Sequence, residues 1–225
     1  NIIIKLCELI QMVSASIVNL EHRGNFQYRN FFDISKAFDR VWHNGLLHKL
    51  VFVVRFSSVS RVILRNKKHR VNSSRFKLKW QAIHAVVPQG SILGPIMFLL
   101  YINDITSQVQ TNMCLFVDDT SLFVTVKFNV PVYDSEILND DISKITAWAD
   151  RWLINFNATK TETLLISRKT FKPFHPPLFM NNHSIKDVSI HKHLGLFLSN
   201  DGKWHAHIDH TSCKAWQRIN IMRKL

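Results

Sequence analysis

The stretch Cys114-Leu115-Phe116-Val117-Asp118-Asp119-Thr120-Ser121-Leu122-Phe123-Val124 constrains this chain more than any other. Apolar residues lead in, polar residues hold the centre, and apolar residues lead out. That pattern predicts a tight β-hairpin with two acids at its tip. Adjacent ionised carboxylates repel each other, so keeping both charged at neutral pH calls for a cation. Carboxylate oxygens are hard ligands, and Mg²⁺ is the cation they suit. A solvated acidic turn would carry the same residues, so the surrounding chain has to decide between the two.

The chain has 225 residues, 46% of them hydrophobic, with only six Gly and six Pro. It can bury a real core and falls outside the disordered class. The net charge is +13, and its placement says more than its sum. Between Arg40 and Asn103 there is no Asp or Glu, but there are eleven basic residues: Arg40, Lys49, Arg55, Arg61, Arg65, Lys67, Lys68, Arg70, Arg75, Lys77 and Lys79. A one-sign stretch of that length predicts a track for a polyanion, either nucleic acid or an anionic surface.

Cys7, Cys114 and Cys213 are few, odd in number and far apart, which implies no disulfide framework and suits an intracellular setting, nucleus or cytoplasm. The longest apolar run, Ile92 to Ile102, contains Gly94 and Pro95 and is too short to span a bilayer, so no membrane partner is expected. The first residue is Asn1, and the last lies inside a basic helical pattern, so the chain reads as a piece of a longer protein.

Periodicity predicts helices over Ile2–Leu20, His43–Val54, Ser57–Leu64, Gly94 to about Asn103, Asp134–Phe156 and Trp204–Leu225. In the fifth of these, Leu138, Ile142, Ile145, Trp148 and Trp152 share one face and Asp134 can cap the start. Strands are expected at Tyr28–Ile34, twice within Lys67–His84, on both sides of Asp118-Asp119, and at Thr161–Ser167, Leu178–Ile185 and Val188–Leu198. Val130-Pro131 reads as a loop. Helices mixed with short, hairpin-spaced strands predict an α+β fold.

Three stretches then line up. They are Phe31-Phe32-Asp33-Ile34-Ser35-Lys36-Ala37-Phe38-Asp39, Val87-Pro88-Gln89-Gly90-Ser91-Ile92-Leu93-Gly94-Pro95, and Phe116-Val117-Asp118-Asp119. In order and spacing they resemble motifs A, B and C of the reverse transcriptases of non-LTR, jockey-like retrotransposons. Trp152-Leu153 with Asn157 and Lys160-Thr161 resembles motif D. His193-Leu194-Gly195-Leu196, followed by Trp204 and His207-Ile208, resembles the Leu-Gly stretch and the helix after it.

The resemblance implies a polymerase palm, an antiparallel sheet with packed helices. Residues 1–208 would be the palm with part of the fingers, and 209–225 the start of a connector or thumb helix, most of the thumb being missing. It implies an RNA-directed DNA polymerase working with two Mg²⁺ ions, or Mn²⁺, on an RNA template, a DNA primer and a dNTP.

Asp33 and Asp118 would hold the metals with Asp119 in support, and the Ile34 carbonyl would complete one shell. Phe38 would lie under the sugar and exclude a 2′-hydroxyl; a core phenylalanine is its other reading. Gln89 and Gly90 would lie against the nucleotide, and Lys160 would approach the triphosphate; a solvated lysine is its other reading. Arg65, Lys67, Lys68 and Arg70 would contact nucleic acid. A relic that only binds nucleic acid is the competing expectation, because the upstream fingers motifs and the thumb are not seen. Val86 stands where the family often has Gly, and Val117 where it often has Ala. His205, His207, His210 and Cys213 suggest zinc, but their spacing is not that of a common structural site.

Overall fold

The structure, a computed structural model, describes residues 26–50, 68–70, 79–82, 85–87, 93–126, 131–169 and 175–223. The expected helices at Ile2–Leu20 and Ser57–Leu64 lie outside these residues.

Strand β1 (Phe26–Asp33) is the centre of the fold. Seven of its eight residues are buried, because it has a strand on each side and a packed layer on each face. The hairpin β4 (Asn112–Phe116) and β5 (Asp119–Val126) lies on one side of it, and β6 (Glu162–Ile166) on the other. The sheet order is β4-β5-β1-β6-β9, with β9 at Lys186–Asp187. Every pairing is antiparallel except β6 with β9.

Alternation along β1 separates two cores. Phe26, Tyr28 and Phe32 join the larger one, with Met97, Phe98, Tyr101 and Ile102 of α2 (Leu93–Ile102) and Leu138, Ile142, Ile145 and Trp148 of α3 (Pro131–Arg151). Burying each such side chain contributes about 1.5–3 kcal/mol. Phe31 points to the opposite face and meets Leu164, Ile166 and Leu198, with Trp204 packed against them.

Helix α1 (His43–Lys49) follows β1 after a 3₁₀ turn at Ala37–Asp39. Lys49 departs from the expected basic track. Its ammonium bonds Asp104 at 2.5 Å and the Tyr101 carbonyl at 2.6 Å, and lies 3.8 Å from the centre of the Trp152 ring. It braces the helices instead of facing a polyanion. Strands β2 (Lys68–His69) and β3 (Gln81–Ala82) pair as expected within the basic segment.

Several boundaries differ from expectation. Helix α3 begins at Pro131, where a loop was expected, since Pro at a first helical position loses no intrahelical bond. Asp134 therefore lies inside the helix and not at its first position. The same helix stops at Arg151, short of Phe156, because Leu153 adopts φ +56°. A helix stop of this kind usually shows in sequence as Gly, and no Gly stands there.

Leu178–Ile185 is not one strand but the hairpin β7 (Phe179–Met180) and β8 (His183–Ser184), turned by Asn181 and Asn182, both at positive φ. Val188–Leu198 is likewise a hairpin of β10 (Ile190–His193) and β11 (Leu196–Ser199), turned at Leu194-Gly195. Both turns have the two positive φ values that right-handed strand twist favours. Helix α4 (His205–Met222) follows, and none of its residues is buried.

Candidate active site

Asp33 ends β1 and Asp119 begins β5, and the antiparallel register makes them Cα partners. Asp118 sits beside them in the two-residue turn that joins Phe116 to Asp119. The three acids, 85 residues apart in sequence between Asp33 and Asp118, therefore share one sheet end. Val117, the other turn residue, has φ +55°, an unfavourable conformation for a β-branched side chain. A positive φ at the first turn position suits a two-residue hairpin, and Val117 takes it at a cost in strain.

Ile34 continues β1 into an isolated bridge with Phe156. The Ser35 N–H donates to the Asn155 carbonyl, and the Asn157 N–H donates to the Asp33 carbonyl at 2.8 Å. This pattern leaves the Ile34 carbonyl out of the pairing, while its side chain is buried. The bridge also fixes the loop that bears Lys160. Asn157 shapes that loop: its carbonyl accepts from the Lys160 and Thr161 N–H groups, and its side-chain oxygen from the Thr159 N–H and hydroxyl. Lys160 Nζ ends up 3.9 Å from Asp33 Oδ2, on a side chain that is mostly exposed.

Phe38 is half-buried, its ring 5.2 Å from that of Phe98. Its carbonyl accepts from the Val87 N–H, the Val41 carbonyl accepts from the Val86 N–H, and Ala85 bridges to Trp42. These bonds bring the chain that leads into Pro88-Gln89-Gly90 beside Phe38. Gln89 and Gly90 themselves lie outside the described residues, as do Arg65 and Lys67. Lys68 lies in β2, and Arg70 follows it, exposed. Val86, at the expected Gly position, has φ +100°. The backbone there keeps a glycine conformation although the residue is Val.

Burial pushes the Asp119 carboxyl above the usual carboxylate range, and the charges of Asp118 and Asp33 push it further. Asp119 thus feels both neighbouring charges, and a cation among the three acids would relieve the repulsion. Their donor set is hard oxygen, which fits a divalent ion of the Mg²⁺ class. Among the described residues no three His, Cys, Asp or Glu side chains form a ready metal cage. That holds for the acids and for the histidines of α4.

A second Asp-Asp pair, Asp140-Asp141, does a different job. Asp141 is fully buried and accepts from the Gln110 N–H at 3.0 Å and from the Thr111 N–H and hydroxyl at 2.9 and 2.8 Å. It ties α3 to the start of β4. Neither this role nor that of the Tyr101 hydroxyl, which donates to the Trp152 carbonyl, was read from the sequence. No sequence pattern marks these bonds, since their partners lie far away in the chain and most are main-chain groups.

The family model described as reverse transcriptase (RNA-dependent DNA polymerase) matches residues 4–212. The chain belongs to the reverse transcriptase family. It is 26% identical over 205 residues to the probable RNA-directed DNA polymerase from transposon BS of Drosophila melanogaster, covering 87% of this chain and 22% of that protein. It is 26% identical over 211 residues to the RNA-directed DNA polymerase from mobile element jockey of the same fly, with 89% and 22% covered.

This reverse transcriptase chain thus spans about a fifth of the length of those relatives. Among solved structures it resembles apo telomerase from Candida tropicalis, truncated from its C-terminal domain, with a TM-score of 0.62 and 13% identity, covering 88% of this chain and 39% of that one. Telomerase from Candida albicans in complex with a fragment of telomeric RNA gives 0.58 and 16%, covering 88% and 33%. These likenesses bear out the α+β polymerase fold. The family implies a divalent-metal-dependent polymerase. No described helix is long and apolar enough to cross a membrane.

Proposed function

We infer that this chain carries the catalytic centre of an RNA-directed DNA polymerase, which extends a DNA primer on an RNA template with dNTPs. The observation that carries the reading is the register pairing of Asp33 with Asp119, with Asp118 in the adjoining turn. Such an arrangement offers acids from two elements to one reacting phosphate. In the reaction the primer 3′-hydroxyl oxygen bonds the α-phosphorus and pyrophosphate leaves.

Asp33 and Asp118 would hold two Mg²⁺ ions (or Mn²⁺), with Asp119 in support and the Ile34 carbonyl, outside the strand pairing, as a further oxygen. When bound, such ions lower the pKa of the attacking hydroxyl and offset charge on the leaving oxygen. The chain's own residues do the positioning. Lys160 Nζ, held beside Asp33 by the Asn157 loop, meets the triphosphate and supplies a proton to the leaving pyrophosphate. Phe38 rests on Phe98 and leaves part of its surface to the sugar, where it excludes a 2′-hydroxyl. Gln89 and Gly90, entered through Val87, line the nucleotide. Arg65, Lys67, Lys68 and Arg70 meet nucleic acid phosphates. Residues 1–208 act as the palm with part of the fingers, and 209–225 begin a connector or thumb helix.

The test is primer extension on an RNA template with dNTPs and Mg²⁺, comparing this chain, its Asp118→Asn form and a longer chain restoring the flanks. Asp118→Asn should abolish extension, at least a thousand-fold, wherever extension is seen. No extension by either chain would leave nucleic-acid binding as the only activity and favour the relic.

A further inference from the structure

Trp80 is the most exposed large apolar side chain among the described residues between Arg40 and Asn103, at 58% of its full area. Its setting explains why an indole should be there. Strands β2 and β3 pair in the register Lys68↔Ala82 and His69↔Gln81. One step further along that ladder, Arg70 comes opposite Trp80. The guanidinium carbon of Arg70 lies 4.6 Å from the centre of the indole ring.

A cation on one face of an indole polarises the ring and leaves the other face open to a flat partner. Lys79, next in the chain, is exposed as well. No carboxylate occurs anywhere from Arg40 to Asn103 to neutralise these cations from within the segment. An exposed aromatic side chain flanked by cations whose own segment holds no acid is the chemistry that grips single-stranded nucleic acid, because every base has a π-face and every linkage a phosphate. An apolar protein partner would not need the cations, and an acidic one would not need the indole.

The chain that leaves the hairpin is anchored to the segment after β1. Beyond β3 the chain reaches Ala85, bridged to Trp42, and then Val87, whose N–H bonds the Phe38 carbonyl. The stretch from Trp80 to Val87 spans at most about 25 Å. Trp80 therefore stands within a few nucleotides of the chain that borders the catalytic centre.

We propose that Trp80 and Arg70 form a stacking platform for an unpaired base of a single-stranded nucleic acid. The base lies on the open face of the indole, and Arg70 and Lys79 meet the flanking phosphates. The proposal rests on the polymerase reading, in which the strand being copied must be held unpaired before it reaches the centre.

The test is binding of a labelled oligo(A) RNA by the full chain, followed by fluorescence anisotropy at several salt concentrations. Trp80→Ala should weaken binding about ten-fold without changing the slope against log salt, since stacking releases no counterion. Trp80→Phe should restore most of the affinity. Arg70→Gln should weaken binding and lower the slope by about one. Binding of a self-complementary RNA duplex should be insensitive to Trp80→Ala, because paired bases bury their faces.

RNA binding unchanged by Trp80→Ala, or an equal loss for single strand and duplex, overturns the platform. Trp80-dependent binding of polyglutamate without binding of RNA overturns it in favour of an acidic protein. Failure of the unaltered chain to bind RNA at all overturns the platform, while Asp118-dependent extension by the longer chain keeps the polymerase reading. Asp118-dependent primer extension with no Trp80 effect overturns the platform alone.

Discussion

His193 should make this domain lose stability in mild acid. Its side chain is buried on the Phe31 face of the sheet, with its ring 5.0 Å from Phe31 and 6.1 Å from His191. Burial, with the positive charges of His191 and Arg29 nearby, holds its pKa down to about 4 from an ordinary 6.5. Between those two values the unfolded chain takes up a proton that the folded chain refuses. Stability from this source is therefore complete above pH 6.5, falls as pH falls, and is gone below about 4.

At about 1.4 kcal/mol per pH unit, the loss on going from pH 7.5 to 4.5 is roughly 2–3 kcal/mol. The perturbation that isolates it is His193→Phe, which keeps a ring against Phe31 and removes the titration. Urea unfolding at both pH values, followed by tryptophan fluorescence, reads the difference. The raised carboxyl of Asp119 works in the opposite sense, taking its proton first in the folded form, but it is common to both proteins and cancels. Burial lowers His191 as well, while its bond to Glu162 opposes the shift, so some acid sensitivity remains in the variant. An equal loss of stability in both proteins between pH 7.5 and 4.5 would refute the assignment.

Two further substitutions probe the frame of the site. Val86→Gly should stabilise the fold by about 1 kcal/mol, seen as a higher Tm, because it removes a β-branched residue from φ +100°; a lower Tm would show that burial of the Val86 side chain outweighs the strain. Asp141→Asn should destabilise by roughly 2 kcal/mol in urea unfolding, since it weakens a buried carboxylate that accepts from two N–H groups and a hydroxyl; a change under about 0.5 kcal/mol would mean the Gln110–Thr111 turn holds without it.

Much of the site could be read in the sequence because its signals are local. Asp33 closes an apolar strand, Asp118 and Asp119 sit between two apolar runs, and Leu138, Ile142, Ile145 and Trp148 repeat at helical spacing and are buried as expected. Those patterns depend on neighbours within a few residues. Turn geometry was harder to read, because the chain has only six glycines and places Lys36, Val86, Val117, Leu153 and Leu194 at positive φ. The usual residue marker is absent at those positions. The end of α3 at Arg151 differs from expectation accordingly, whereas the hairpin within Val188–Leu198 does carry a glycine, Gly195, at its turn.

By itself, then, the sequence determined the class of fold, the order of the elements and the chemical type of the site. Alternation, helical period and paired acids are properties of short windows. Only the tertiary structure decided which of two Asp-Asp pairs lies exposed at the sheet end beside Asp33 and which has its Asp141 sealed against Gln110 and Thr111. It alone turned Lys49 inward to Asp104 while Arg70 stayed outside on Trp80. It alone set Lys160 beside Asp33, through a bridge between residues more than a hundred positions apart. Register and burial arise from contacts between distant segments, and no short window of residues contains them.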